Sequence, residues 1–278
     1  MLALGHIAYA NCFPVHGPLL LGDVPFGGEV VTGDPGLLNR LLATGRVQVA
    51  PCSSIEYARH YPRYRLLPDL SISSRGEVRS ILLTATRAPE DLGRCRVGLP
   101  TASASSACLA EILLRRRWGA EPELVWFEQL QEEPLERCDA ALYIGDAALR
   151  LRRERPDLVW TDLGSVWTEW TGLPFVYALW QVHAPPALAE DVAACARAVA
   201  ESKAAGLDDL DGLARRYPDP FPLSTSELAA YWRALDYGLG AEVREGLRAF
   251  YALAVEIGRL ERVPPLQLSG GIAASVPL

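Results

Sequence analysis

Histidine is scarce in this chain and closely spaced cysteine is missing from it. It holds four histidines in 278 residues, and its six cysteines (Cys12, Cys52, Cys95, Cys108, Cys138 and Cys195) make no C-x-x-C pair. No metal site is therefore expected, and the spacing fits buried thiols in a reducing compartment. Basic charge is also in deficit: 27 Lys and Arg face 34 Asp and Glu, a net charge of −7. That balance argues against a general nucleic-acid binder and leaves room for a local anion pocket. No apolar run reaches the roughly 18 residues that would suggest a membrane span. Asn11 and His16 break an N-terminus that has no basic lead, so it does not read as a signal peptide. The expectation is a soluble cytoplasmic protein, with no nucleic acid and no membrane among its partners. Half of its residues are hydrophobic and 22% are charged, enough core for one large domain or two smaller ones.

What is present centres on the stretch from Arg94 to Arg117. Arg96–Leu99 reads as a buried strand, and Leu109, Ile112 and Leu113 keep a helical period that closes in Arg115, Arg116 and Arg117. Between them, Thr101–Ser106 carries four hydroxyls in six residues at the mouth of the helix. Helix starts leave N–H groups unpaired and carry partial positive charge, so hydroxyl donors there can hold a carboxylate or phosphate. The structural alternative is that one hydroxyl caps the helix and the rest are merely small.

Around that stretch the same phrase occurs twice. Ala3–Tyr9 reads as a strand opening into Asn11, and Arg46–Ala50 as a strand opening into Ser53-Ser54. Asp34-Pro35 announces the helix between them, and Ser53 stands three residues before Glu56, the spacing of a capping box that would leave Ser54 facing a ligand. The second copy runs from Leu99 into Thr101–Ser106, then from Ile144 into Gly145-Asp146, with Asp146 as an N-cap. Corresponding strands lie about 40 residues apart, as in successive β–α units. In open α/β sheets ligands bind beyond the carboxyl ends of the strands, where each of these polar turns falls. Leu130–Arg137 reads as a short helix, Trp167, Trp170 and Phe175 as core or cleft wall, and the text from Pro186 onward as mainly helical. Ser224 and Glu227 form a further capping box, and Gly270-Gly271 belongs to a loose tail.

These phrases, in order, carry a resemblance. Tyr9-Ala10-Asn11 with Pro14, Pro51–Tyr57, Ser73–Ser80, Thr101–Ser106, Ile144-Gly145-Asp146 and Thr171–Val176 cover most of residues 1–180. Together they resemble the chorismate dehydratases of the futalosine route to menaquinone, relatives of type II periplasmic-binding-protein folds. The chain departs from the pattern at Cys12, where a small hydroxyl residue would be expected, and at His16.

The resemblance implies an α/β fold of two lobes, each a β-sheet flanked by helices, with a helical C-terminal region. Lobe one would comprise 1–88 and 178–278 and lobe two 89–177, joined near Arg87–Glu90 and Tyr177–Gln181 around a ligand cleft. It implies conversion of chorismate to 3-[(1-carboxyvinyl)oxy]benzoate and water, without cofactor, by a monomer or homodimer. Asn11 and Ser80 would orient the ring hydroxyl and the enolpyruvyl arm. Tyr9, Ser54, Ser73, Thr101, Ser103, Ser105, Ser106, Gly145 and Asp146 would bind substrate. No side chain stands out as the base, so removal of the proton by chorismate's own carboxylate is one reading. Two rivals stay open: a cytoplasmic sensor that grips a small carboxylate, and a naphthoate-forming sister enzyme. The sister would carry a histidine in lobe two, and residues 89–177 have none.

Overall fold

A computed structural model describes residues 1–85, 87–218 and 221–269. The strands are β1 (Ala3–Ile7), β2 (Glu29–Gly33), β3 (Val49–Ser53), β4 (Arg65–Ser74), β5 (Ile81–Ala85), β6 (Arg94–Pro100), β7 (Glu121–Phe127), β8 (Ala140–Ile144), β9 (Val159–Asp162) and β10 (Phe175–Val182). They form two five-stranded sheets, β2-β1-β3-β10-β4 and β7-β6-β8-β5-β9. Each sheet is parallel through three strands, and its fourth strand runs antiparallel to both neighbours. The two copies legible in the sequence are thus two sheets of matching order. Their central strands β1, β3, β5, β8 and β10 are buried along their whole length, as strands covered on both faces must be.

Helices cover the sheets: α1 (Phe13–Leu20), α2 (Pro35–Ala43), α3 (Ser54–His60), α4 (Ala104–Ile112), α5 (Gly145–Glu154), α6 (Leu163–Thr171), α7 (Ala189–Asp208), α8 (Leu210–Arg215), α9 (Thr225–Arg233) and α10 (Ala241–Glu256). Asp34 caps α2 by accepting from Leu37 N with Pro35 in the first turn, and Ser224 and Glu227 close the capping box of α9. The aromatic segment is core: Trp167 is fully buried and packs edge-on to Phe175 and Phe250. Among the described residues no helix is long and apolar enough to cross a membrane.

Three expectations are corrected. The chain passes from the first sheet to the second between Ser74 and Ile81 and returns between Thr171 and Phe175, not at Arg87–Glu90 and Tyr177–Gln181. The reason is pairing: β5 bonds to β8 and β9, so residues 81–85 belong with the second lobe. Leu130–Arg137 makes only a single 3-10 turn, Pro134–Glu136, because Leu130 has a φ of 66° and Pro134 lacks a helical N–H. At α3, Ser53 makes no capping bond and Glu56 pairs with His60 instead. The expected tail at Gly270-Gly271 lies outside the described residues.

Candidate active site between the sheets

A narrow, partly open pocket, with only about 30 Å³ of free space, lies where the carboxyl ends of the two sheets face each other. The first lobe contributes Ile7, Tyr9, Asn11, Pro35, Ser53, Ile72, Tyr177 and Ala178, and the second Ile81, Ser103, Ser106, Ile144 and Gly145. None of these is charged. Five of them stand at helix starts: Asn11 in the turn leading into α1, Pro35 in α2, Ser53 before α3, Ser103 before α4 and Gly145 in α5. Helix N-termini direct N–H groups and partial positive charge outward, so the cavity favours anions without a guanidinium or ammonium in its wall. Four isoleucines supply apolar flanks, and a less polar surrounding strengthens those dipoles.

Five expected residues meet here: Tyr9, Asn11, Ser103, Ser106 and Gly145. Ser103 caps α4, and its hydroxyl donates to Ser106 Oγ at 3.0 Å, which leaves the Ser106 proton available to a ligand. Asn11 Oδ1 is buried without a hydrogen-bond partner. Gly145 adopts φ +60°, and its bare Cα lets the Tyr9 ring close over it.

The other expected residues are engaged elsewhere. Ser54 Oγ donates to Val176 O at 2.6 Å and meets Ser105 Oγ at 3.0 Å, while Ser105 also accepts from Ile55 N at 3.1 Å. These two hydroxyls join the lobes rather than line the cavity. Ser73 lies one residue past Ile72 on β4, so strand alternation turns it to the opposite face, where it bonds to Asp236 O. Ser80 Oγ accepts from Tyr231 OH at 2.8 Å, and Thr101 is exposed outside the cavity. Asp146 is not the cap of α5; its Oδ1 accepts from Ala10 N at 3.0 Å, across the cleft. Ser53, the isoleucines, Tyr177 and Ala178 are wall residues that sequence reasoning missed, although strand ends carried the signal.

Burial pushes the Asp146 carboxyl up to about 6, against the bond from Ala10 N that favours its charged form. Burial foremost, and then the charges of Asp34 and Asp146, raise the Tyr9 phenol. A carboxyl raised on folding stabilises the fold when protonated, so this contribution is present at low pH and lost as pH rises from about 3.8 to 6. Asp146→Asn keeps an acceptor for Ala10 N and removes the charge. Relative to the unmodified protein, that variant should gain about 3 kcal/mol of stability between pH 4 and pH 7.5 in urea unfolding. A difference that does not vary with pH would refute the buried-charge account.

His6 and His16 stand outside the wall, in the lobe-one core. Trp180 Nε1–H donates to His16 Nε2 at 2.9 Å, which places the His16 proton on Nδ1, 3.2 Å from His6 Nδ1. With Cys12 they form a buried group of three possible metal ligands. The tautomer fixed by Trp180 occupies the shared space with a proton, so the arrangement fits a hydrogen-bonded pair and not a metal centre. Burial pushes His6 down to about 4 and His16 further in the same direction. The departures at Cys12 and His16 therefore leave the cavity wall unchanged.

The comparisons with known proteins agree with this geometry. A family model described as menaquinone biosynthesis matches residues 2–256. A chorismate dehydratase of Thermus thermophilus is 33% identical over 267 residues, covering 89% of this chain and 93% of that protein. A chorismate dehydratase of Campylobacter jejuni is 32% identical over 182 residues, covering 64% of this chain and 66% of that protein. Among solved structures, an Archaeoglobus fulgidus protein superposes with a TM-score of 0.72 at 19% identity, covering 92% of this chain and 97% of that one. The alkanesulfonate-binding protein of Xanthomonas axonopodis pv. citri, bound to MOPS, gives 0.65 at 13% identity, with 96% of each chain covered. The fold is thus that of periplasmic binding proteins.

Proposed function

The chain belongs to the menaquinone-biosynthesis family, and from that premise we propose that its cavity dehydrates chorismate to 3-[(1-carboxyvinyl)oxy]benzoate. One observation carries the reading: an uncharged pocket wall on which five helix starts converge, with Asn11 Oδ1 left unpaired among them. Chorismate offers two carboxylates to those N–H groups and a ring hydroxyl to the amide.

The reaction removes a proton from the ring carbon that bears the ether and hydroxide from its neighbour. The two leave as water, and the ring becomes aromatic. No electron is gained or lost overall, so the step calls for no redox cofactor. It is a carbon–oxygen lyase reaction whose demands are positioning and electrostatic support of a departing hydroxide. The wall presents no group that accepts a proton at neutral pH, and Asp146 faces Ala10. The enolpyruvyl carboxylate of the substrate, held near the ether-bearing carbon by its own short arm, is the base. Asn11 donates a hydrogen bond from Nδ2 to the leaving hydroxyl oxygen and accepts one from its O–H at Oδ1, and the proton taken up by the carboxylate passes to the departing hydroxide to give water. The hydroxyls of Ser103 and Ser106 and the start of α4 hold a carboxylate. Ser80 acts one step back, fixing Gly145 through its carbonyl, which accepts from Gly145 N at 2.8 Å.

Purified protein incubated with chorismate should form the 3-substituted benzoate rapidly, seen by chromatography and mass. Tight binding without turnover would replace the enzyme by a carboxylate sensor. Absence of both would overturn the reading.

A further inference from the structure

We infer that Ser53, and not its neighbour Ser54, is a substrate-contacting residue of lobe one that donates to a substrate carboxylate. The inference rests on the chorismate reading and adds a contact to it. Ser53 is 2% exposed and lines the cavity, and its Oγ has no hydrogen-bond partner. Buried hydroxyls are nearly always paired, and of the unpaired ones among the described residues this is the one that lines the pocket.

The backbone around this hydroxyl is held from both sides. Ser53 N donates to Asn39 Oδ1 at 3.2 Å, and Ser53 O accepts from Gln181 Nε2 at 2.9 Å. Across the sheet Ser53 pairs with Ala178, itself a wall residue. Both backbone groups are thus satisfied by buried side chains, and only the hydroxyl remains to be met. The site is built before substrate arrives, and pre-organised donors of this kind cost no rearrangement on binding. Ser54 shows the contrast: with two oxygen partners and a role between the lobes, it has no proton left for substrate.

An anion is the partner the site selects. Asn11 Oδ1, the other unpaired polar atom of the wall, can only accept, so it takes the one hydroxyl proton of chorismate. The remaining polar groups of the substrate are carboxylates and an ether oxygen. A serine hydroxyl donating to a carboxylate makes a charge-assisted bond, the stronger of the two choices.

The test compares the unmodified protein with Ser53→Ala and Ser54→Ala in three measurements: chorismate kinetics, calorimetric affinity for the product, and Tm. Ser53→Ala should raise KM and weaken product binding about tenfold, leave kcat within about threefold, and keep Tm level or slightly higher, since it deletes an unpaired buried hydroxyl. Ser54→Ala should lower Tm and leave product affinity within about twofold. Unchanged KM and affinity in Ser53→Ala, with a lowered Tm, would make Ser53 structural and overturn the inference. Failure of the unmodified protein to turn over chorismate would instead sink the parent reading, whatever the variants do.

Discussion

Asn11→Ala should lower kcat by roughly 10²–10³-fold while moving Tm by no more than a degree or two. The size follows from the role proposed for the amide, support of a departing hydroxide in a buried pocket, where one fixed donor is worth more than in solvent. The small effect on Tm follows from the unpaired Oδ1, because no protein group loses a partner when the side chain goes. KM should change less than kcat, since the amide matters most as charge develops on the leaving oxygen. Asn11→Asp sharpens the test. It preserves the shape and adds a negative charge to a site built for a dianion, so product affinity should fall as well. If Asn11→Ala retained full kcat, the amide would have no part in the elimination.

Gly145→Ala should lower kcat/KM by about 100-fold, for a reason that is mostly steric. A Cβ at this position would stand 2.7 Å from Tyr9 Cδ2, and φ +60° disfavours any side chain. The left-handed backbone alone costs roughly 1–2 kcal/mol. The contact adds more, and adds it across the cleft, since Tyr9 belongs to one sheet's edge and Gly145 to the other's. The variant should therefore fold with a Tm a few degrees lower and fail chiefly in closing over substrate. Combining it with Tyr9→Leu should recover part of the lost kcat/KM by clearing the contact. Full activity in Gly145→Ala would show that turnover does not need Tyr9 against this backbone.

Much of this architecture could be read from local chemistry. Asp34-Pro35 and Ser224–Glu227 are contacts between residues three or fewer apart, so the chain carries them openly. The paired copies were legible because an apolar run ending in a polar turn looks alike wherever it occurs. The errors were of another kind. Which of Ser53 and Ser54 faces the pocket depends on one residue of phase at the end of β3, and a slip of one reverses every side chain. Ser73 lies off the pocket wall for the same reason, one step beyond Ile72. Ile81–Ala85 would suit either sheet equally well; only its partners β8 and β9, about 60 to 80 residues away, decide. The bond from Ala10 N to Asp146 spans 136 residues and left no local mark. Cavity walls are made of such distant agreements.

The position of β10 also sets an order of events during synthesis. Every strand of the second sheet lies between residues 81 and 162, so that lobe is complete in the nascent chain while the first is still missing a part. In the first sheet β3 and β4 do not touch; β10 occupies the gap between them. The first sheet therefore stays unfinished in the growing chain until residues 175–182 have been made, after every strand of the second sheet.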